Sequence, residues 1–254
     1  MKKYYILLIG VIIFLGLSAF SPPVSDAGNM EAQVPACLQI EENTELVFSK
    51  PSYLILDLAE GHDIILGAYR DPIFHKEVLA FFQNLTGSLN VAEAILSCAS
   101  SLDISPALAF ALCAEESNYN PRAFNRNKND TVDRGLFQLN SASFPKLKDE
   151  DFYALDVNVY HGLLHLRWCL HAAGTEVSGL AMYNAGATRV RSSGAPKSTL
   201  DYISRILNRQ RKIEEQFIVE YVRMAEERYM KTENGGENKK SPFRLSLLTP
   251  LGGR

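Results

Sequence analysis

Two adjacent acidic residues stand directly after an apolar stretch of the sequence. The stretch runs from 107 to 114, and Glu115 and Glu116 follow it. A carboxylic acid held away from water keeps its proton to a higher pH, because desolvation disfavours the anion. A side chain of that kind can serve as a general acid near neutral pH. The chemistry to expect here is therefore proton donation to a leaving group.

A buried helix is the element that must position these acids. Ser105 suits the N-cap and Pro106 the first helical position, so a helix is predicted to begin there. Because residues 107–114 offer no polar face, the helix should lie inside the domain. Pro121 should end it, since the residue before a proline is pushed out of helical geometry. Either acid then lies near the negative end of the helix dipole, which also favours the protonated form.

Four polar and aromatic blocks follow in a fixed order. They are Glu116-Ser117 with Tyr119 and Asn120-Pro121, then Gly135-Leu136-Phe137-Gln138, then Tyr183-Asn184-Ala185-Gly186, then Tyr202-Ile203. In this order the blocks resemble the lytic transglycosylases, which cleave bacterial peptidoglycan. The segment 125–133 most resembles the specialised members that serve secretion, conjugation and pilus machines. The resemblance covers residues 88–212.

This resemblance implies a fold, a catalytic residue and a set of substrate contacts. The implied fold is mainly α, a lysozyme-like (goose-type or transglycosylase) α+β catalytic domain with a small hairpin. The Glu of Glu-Ser is the family's single catalytic acid and base, so the role maps to Glu116 and not to Glu115. The residues expected to line the glycan cleft are Ser117, Gln138, Tyr183, Asn184 and Tyr202. No metal or other cofactor is implied.

The implied reaction needs no water. Glu116 would protonate the glycosidic oxygen between N-acetylmuramic acid and N-acetylglucosamine, while the acetamido oxygen of the substrate stabilises the developing cation. This route lies outside the usual scheme with two carboxylates. The ionised Glu116 would then take the proton of the muramoyl C6 hydroxyl, which attacks C1 and leaves a 1,6-anhydro product.

Asp133 supports a second interpretation. The stretch from Glu116 to Ser141 also aligns with the catalytic segment of animal-type lysozymes, where Asp133 falls on their second carboxylate. A hydrolytic muramidase would use both acids. Asp133 could instead shape an Asn/Asp-rich turn or bind the cleft, and it is therefore also a candidate substrate-binding residue. A third interpretation is a catalytically inactive glycan-binding scaffold, against which the intact set of site residues argues.

The rest of the chain divides into four parts by composition. Residues 1–27 have the pattern of a secretory signal peptide, with Lys2-Lys3 before an apolar run, which could instead remain as a membrane anchor. Residues 28–86 are expected to be a small N-terminal helical region of unknown role, and 87–230 form the catalytic domain. The tail, 231–254, has the composition of a disordered segment. The expected location is exported, periplasmic or associated with the cell envelope.

Helices are expected between and around these blocks. The predicted ranges are 71–82, 88–101, 157–173, 175–183 and 198–230, with a short hairpin or loop over 124–138. The net charge of −3 disfavours nucleic acid as a partner. Peptidoglycan strands, and a machine that spans the cell envelope, are the expected partners.

Two patterns with the spacing of metal sites lack residues that such sites need. The Asn/Asp-rich run from Asn125 has Asp130 where a calcium loop needs Gly, and Leu136 where it needs a bidentate Glu. His161 and His165 lie four residues apart on a predicted helix, but Gly162 replaces the catalytic Glu of the zinc-protease motif. These two histidines are expected to pack on a helix face or to meet solvent.

Overall fold

The computed structural model describes residues 63–233, which contain eight α-helices and three short strands. The helices are α1 (Ile64–Arg70), α2 (His75–Thr86), α3 (Leu89–Leu102), α4 (Pro106–Ser117), α5 (Leu155–Ala173), α6 (Glu176–Ala185), α7 (Ala187–Ser193) and α8 (Lys197–Glu233). The strands are β1 (Phe124–Arg126), β2 (Val132–Arg134) and β3 (Leu139–Asn140), and a 3-10 turn covers Asp151–Tyr153. The mainly helical architecture with a small hairpin is therefore as predicted.

Parts of the predicted organisation lie outside this range. Residues 1–27 and 234–254, and most of the region 28–86, are not among the described residues. Helix α8 continues to Glu233, three residues beyond the predicted end of the catalytic domain. Within 63–233, each helix is too short or too polar to traverse a lipid bilayer.

The first two helices belong to the same hydrophobic core as the helix that carries the acids. Ile65 on α1 and Val78 and Phe82 on α2 are buried in that core. The ring of Phe82 stacks on the ring of Phe110 of α4, with centroids 4.1 Å apart. Residues 63–86 thus pack as part of the domain that holds the site.

Helix α4 runs through the centre of the domain, as its apolar sequence predicts. All its residues from Pro106 to Ala114 are buried. It ends at Ser117, before the point set by Pro121, because Asn118 adopts a left-handed conformation with φ of 50°. The backbone N–H of Asn118 donates to the carbonyl of Ala114 at 2.9 Å and closes the last turn. The acids therefore lie in the final turn of a buried helix.

The hairpin region is a three-stranded antiparallel sheet in the order β1-β2-β3. It extends to Asn140, two residues beyond the predicted range. Asn125 pairs with Asp133 across β1 and β2, and Asp133 pairs with Asn140 across β2 and β3. The register therefore places three polar side chains side by side on the central strand and its neighbours.

The remaining helices follow the predicted pattern with local differences. Helix α2 begins at His75 and not at 71, because the carboxylate of Asp71 accepts from the N–H of Ile73 at 2.8 Å and forms a turn first. Helices α1 and α7 have seven residues each and were not predicted. With 37 residues, α8 is about 55 Å long. Its first turns pack against α4 and α6 and bring Tyr202 to the acids.

Candidate active site

Glu116 is the next-to-last residue of α4, and its carboxyl group is partly buried against α8. The hydroxyl of Tyr202 donates a hydrogen bond to Oε1 of Glu116 at 2.5 Å. Tyr202 lies 86 residues further along the chain and is only 5% exposed. The two motifs at 116 and 202 therefore meet in one hydrogen bond.

The surroundings of Glu116 favour its protonated form. Burial raises the pKa of Glu116 to about 8, and the hydrogen bond from Tyr202 opposes this rise. The negative charges of Asp133 and of Glu115 raise the pKa further. At neutral pH the carboxyl group thus holds a proton that it can release near the working pH, which suits a general acid.

Glu115 is in a different situation, although it precedes Glu116 directly. Arg205 of α8 donates to Oε1 of Glu115 from Nε at 2.8 Å and approaches it with a second nitrogen at 2.6 Å. Both contacts fall on the same oxygen, so Glu115 is engaged as the acceptor of an ion pair with α8. The structure thus supplies a physical distinction between the two acids that helix periodicity alone does not provide.

Asp133 sits at the centre of a cluster of asparagines in the hairpin. Its Oδ1 accepts from Nδ2 of Asn140 at 2.7 Å, and its Oδ2 accepts from Nδ2 of Asn127 at 2.8 Å. Nδ2 of Asn125 lies 3.4 Å from the same Oδ2. Both carboxylate oxygens are therefore engaged by amide donors. This arrangement holds the three strands together and keeps a negative charge near Glu116.

Asn158 of α5 fixes the loop that carries Gln138. It is 1% exposed, and its Oδ1 accepts from the N–H of Phe137 at 2.9 Å. Its Nδ2 donates to the carbonyls of Arg134 at 3.0 Å and Phe152 at 2.8 Å. One buried amide thus satisfies three backbone groups and holds residues 134–137 in place.

Two glycines allow this close approach. A Cβ atom on Gly135 would lie 2.3 Å from both Nδ2 of Asn158 and the carbonyl oxygen of Phe152. A Cβ on Gly162 would lie 2.4 Å from Cβ and Cγ of the fully buried Phe137. The loop can therefore pack on α5 only because both positions lack side chains.

Tyr183 of α6 also holds this loop. Its hydroxyl donates to the carbonyl of Phe137 at 3.0 Å. Burial raises the pKa of Tyr183 well above its ordinary value, and the charge of Glu116 adds to that rise. The phenol thus stays protonated and lies within the electrostatic reach of the acid.

The other residues predicted to line the cleft make internal hydrogen bonds. Ser117 Oγ donates to the carbonyl of Cys113 at 3.2 Å, and Nε2 of Gln138 donates to the carbonyl of Gly135 at 3.0 Å. The exposed Asn184 accepts at Oδ1 from the buried hydroxyl of Thr199 at 2.7 Å. Their contacts with substrate remain predictions.

The structure thus joins Glu116 directly to Tyr202 and places Asp133 near enough to raise the pKa of Glu116. Glu116 in turn lies near enough to Tyr183 to raise the pKa of that phenol. Three supporting residues were not predicted from the sequence: Asn158, Thr199 and Arg205. Asn158 did give a signal, because it interrupts the apolar residues Val157 and Val159 on a helix that must be buried on one side. Thr199 and Arg205 gave none.

Comparison with known proteins agrees with this geometry. Residues 93–205 match the family model of the transglycosylase SLT domain. Comparisons with curated proteins and with solved structures gave no match. The matched range contains Glu116, the loop with Gln138, Tyr183 and Tyr202. Members of this family are lytic transglycosylases, and the domain is lysozyme-like. Residues 93–205 of this chain are therefore similar to the transglycosylase SLT domain, and the fold is lysozyme-like.

Proposed function

We propose that the protein is a peptidoglycan lytic transglycosylase that cleaves the β-1,4 bond from N-acetylmuramic acid to N-acetylglucosamine and forms 1,6-anhydromuramic acid. The observation that carries this proposal is the Glu116 carboxyl group, which has a pKa of about 8 and a hydrogen bond from Tyr202. A single acid of this kind can donate a proton and then accept one.

The first step breaks the glycosidic bond. The proton of Glu116 moves to the bridging oxygen as the bond from that oxygen to C1 of the muramoyl residue breaks. The acetamido oxygen of the same sugar stabilises the positive charge at C1. Glu116 is now a carboxylate, and the Tyr202 hydroxyl donates to it. Because burial raises the pKa of Tyr202 well above its ordinary value, the phenol keeps its proton and remains a donor.

The second step closes the anhydro ring. The Glu116 carboxylate takes the proton from the C6 hydroxyl of the muramoyl residue, and O6 forms a bond with C1. The acid returns to its protonated form, and no water is consumed. The raised pKa of Glu116 makes its anion a stronger base than an ordinary carboxylate, so the same burial assists both steps.

The asparagine cluster around Asp133 favours this reaction over hydrolysis. A nucleophilic carboxylate needs an oxygen free to attack C1, whereas both oxygens of Asp133 accept hydrogen bonds from the hairpin. One observation favours the second candidate, a hydrolytic muramidase: the charge of Asp133 raises the pKa of Glu116, so two carboxyl groups influence one site. Pairs of carboxyl groups in which one is protonated and the other is ionised serve glycoside hydrolysis in other enzymes.

Mass spectrometry of digested peptidoglycan separates the two reactions. We expect muropeptides that end in anhydromuramic acid from the wild-type protein and no digestion by Glu116→Gln. Reducing muramic acid without the anhydro sugar would establish the hydrolytic reaction instead. If Glu116→Gln retained full activity, that activity would have to come from a contaminant. This result would favour the interpretation as a catalytically inactive scaffold.

Two variants show what Asp133 contributes. Asp133→Asn removes the charge but keeps the shape, and Asn127→Ala removes a donor to the same oxygen while it keeps the charge. If Asp133 only supports the hairpin, both variants should retain anhydro-forming activity to a similar degree. A loss confined to Asp133→Asn would indicate a direct role of the carboxylate in the reaction.

We further propose that the enzyme acts outside the cytoplasm, where peptidoglycan lies, and serves a machine that spans the cell envelope. The basic and apolar pattern of residues 1–27 supports export. The likeness of segment 125–133 to the specialised transglycosylases supports the machine as a partner. Fractionation of cells that express the full chain tests the first point, since an enzyme found only in the cytoplasm would contradict it.

A further inference from the structure

An aromatic strip leads away from the active site along one face of α5. It consists of Phe144, His161, His165 and Trp168, and the last three are spaced so that they share one helix face. The ring of Phe144 lies 5.6 Å from that of His161 and 6.1 Å from that of His165. The rings of His165 and Trp168 are nearly parallel, at 9°, with centroids 5.9 Å apart.

The strip is continuous with the site already described. The ring of His165 lies 5.0 Å from that of Tyr183, whose hydroxyl holds the loop beside Glu116. At the other end, Trp168 is 48% exposed. Singly exposed apolar residues need no explanation, but Trp168 adjoins a row of further aromatic rings through His165. The strip therefore begins beside Tyr183 and ends in an exposed ring.

Its length and its chemistry fit a glycan strand. His161 and Trp168 are seven residues apart, which is about 10 Å along a helix and matches the length of a disaccharide. Sugar rings present C–H groups that favour the electron-rich faces of aromatic rings. Burial lowers the pKa of His165, so its imidazole is neutral at pH 7 and can act as an uncharged ring.

We propose that the aromatic strip is a secondary binding site for the glycan strand, on which N-acetylhexosamine rings beyond the cleaved bond stack, with Trp168 as the outermost platform. The proposal rests on the proposed function in that the strand must pass Glu116. It adds a determinant of substrate length: strands that reach Trp168 bind more tightly than short ones.

The chain offers a direct probe, because Trp168 is its one tryptophan. The full chain with Glu116→Gln, which leaves the strand uncut, is titrated with N-acetylglucosamine oligomers of two to six units and with purified glycan strands. Binding is followed by tryptophan fluorescence and by calorimetry. We expect the emission to shift to the blue with the longer oligomers and with the strands, and to stay constant with dextran.

Substitution measures the contribution of the ring. Adding Trp168→Ala should weaken binding of the hexamer about threefold to tenfold, as expected for one aromatic stack, and should leave binding of the dimer within about twofold. Trp168→Phe should recover part of the loss. The matched control is Val219→Ala, which truncates a side chain that is 70% exposed on α8 and should change nothing. In the active protein, Trp168→Ala should raise KM for long strands.

Distinct outcomes overturn this proposal and the proposed function. Calorimetric binding of the hexamer without a change in fluorescence, or with equal affinity after Trp168→Ala, would overturn the strip while cleavage by Glu116 stands. A fluorescence response to glycans in a wild-type protein that cuts none of them would support the strip and overturn the proposed function. Absence of any glycan binding would overturn both.

Discussion

The acid at position 116 should make the protein less stable as pH rises, and its replacement should reverse that effect. In the unfolded chain Glu116 ionises with the ordinary glutamate pKa of 4.5, whereas in the folded protein its pKa is about 8. Between these values the folded state holds a proton that the unfolded state has released. The free energy of unfolding therefore falls with rising pH, by about 1.4 kcal/mol per pH unit and roughly 5 kcal/mol over the whole window.

Glu116→Gln removes this titration and keeps an acceptor for Tyr202. Urea unfolding of the wild-type protein and the variant at several pH values from 5 to 8 gives the difference in free energy of unfolding. From pH 5 to pH 8, we expect the free energy of unfolding of the variant to rise relative to that of the wild type by roughly 3 to 4 kcal/mol, because glutamine has no charge to desolvate. Replacement of the proposed catalytic acid would thus stabilise the protein at alkaline pH.

The adjacent acid is the matched control. Glu115→Gln breaks an ion pair with Arg205, a side chain that is 57% exposed, so it should cost no more than about 1 kcal/mol and stabilise the protein at no pH in this range. The reasoning would be refuted if the difference between Glu116→Gln and the wild type stayed constant from pH 5 to pH 8. A constant difference would mean that Glu116 is ionised at rest and is no proton donor.

Three further substitutions test the supports of the site. Tyr202→Phe removes the hydrogen bond that lowers the pKa of Glu116, so the alkaline limb of kcat/KM should move up by about one pH unit; an unchanged limb would contradict this. Asn158→Ala leaves three backbone groups without their partner and should lower the free energy of unfolding, measured in urea, by about 3 kcal/mol or more. A loss under about 1 kcal/mol would show that other contacts hold the loop. Gly162→Ala forces a methyl group against Phe137 and should lower the free energy of unfolding by about 1 to 3 kcal/mol, measured by thermal unfolding. Phe137→Leu should restore part of this loss. Equal melting temperatures of Gly162→Ala and the wild type would show that the neighbouring side chains can move to make room for the methyl group.

The local pattern of the chain was enough to predict the helix that carries the acid. An unbroken apolar run can be satisfied only by burial on all sides, and Ser105-Pro106 marks where it begins. The Asn- and Asp-rich segment likewise predicted a hairpin, since those residues favour turns. These inferences succeed because each depends on neighbours in the sequence.

What the residue pattern could not predict without the family resemblance depends on pairs that are far apart in the chain. The distinction between Glu115 and Glu116 comes from Arg205 and Tyr202, some 90 and 86 residues away, and no periodicity links them. The role of Asn158 depends on carbonyls up to 24 residues away. Helix α7 has seven residues with none buried, so it has no apolar stripe from which it could be predicted.

The central claim is that one proton on Glu116, and not on its neighbour, cleaves the glycan. The most direct test compares release of muropeptides from peptidoglycan at pH 7 by the wild-type protein, Glu115→Gln and Glu116→Gln, each shown to be folded. We predict that Glu115→Gln retains most of the wild-type rate and that Glu116→Gln releases no product above background. Release at the wild-type rate by Glu116→Gln, or a complete loss in Glu115→Gln alone, would contradict the claim.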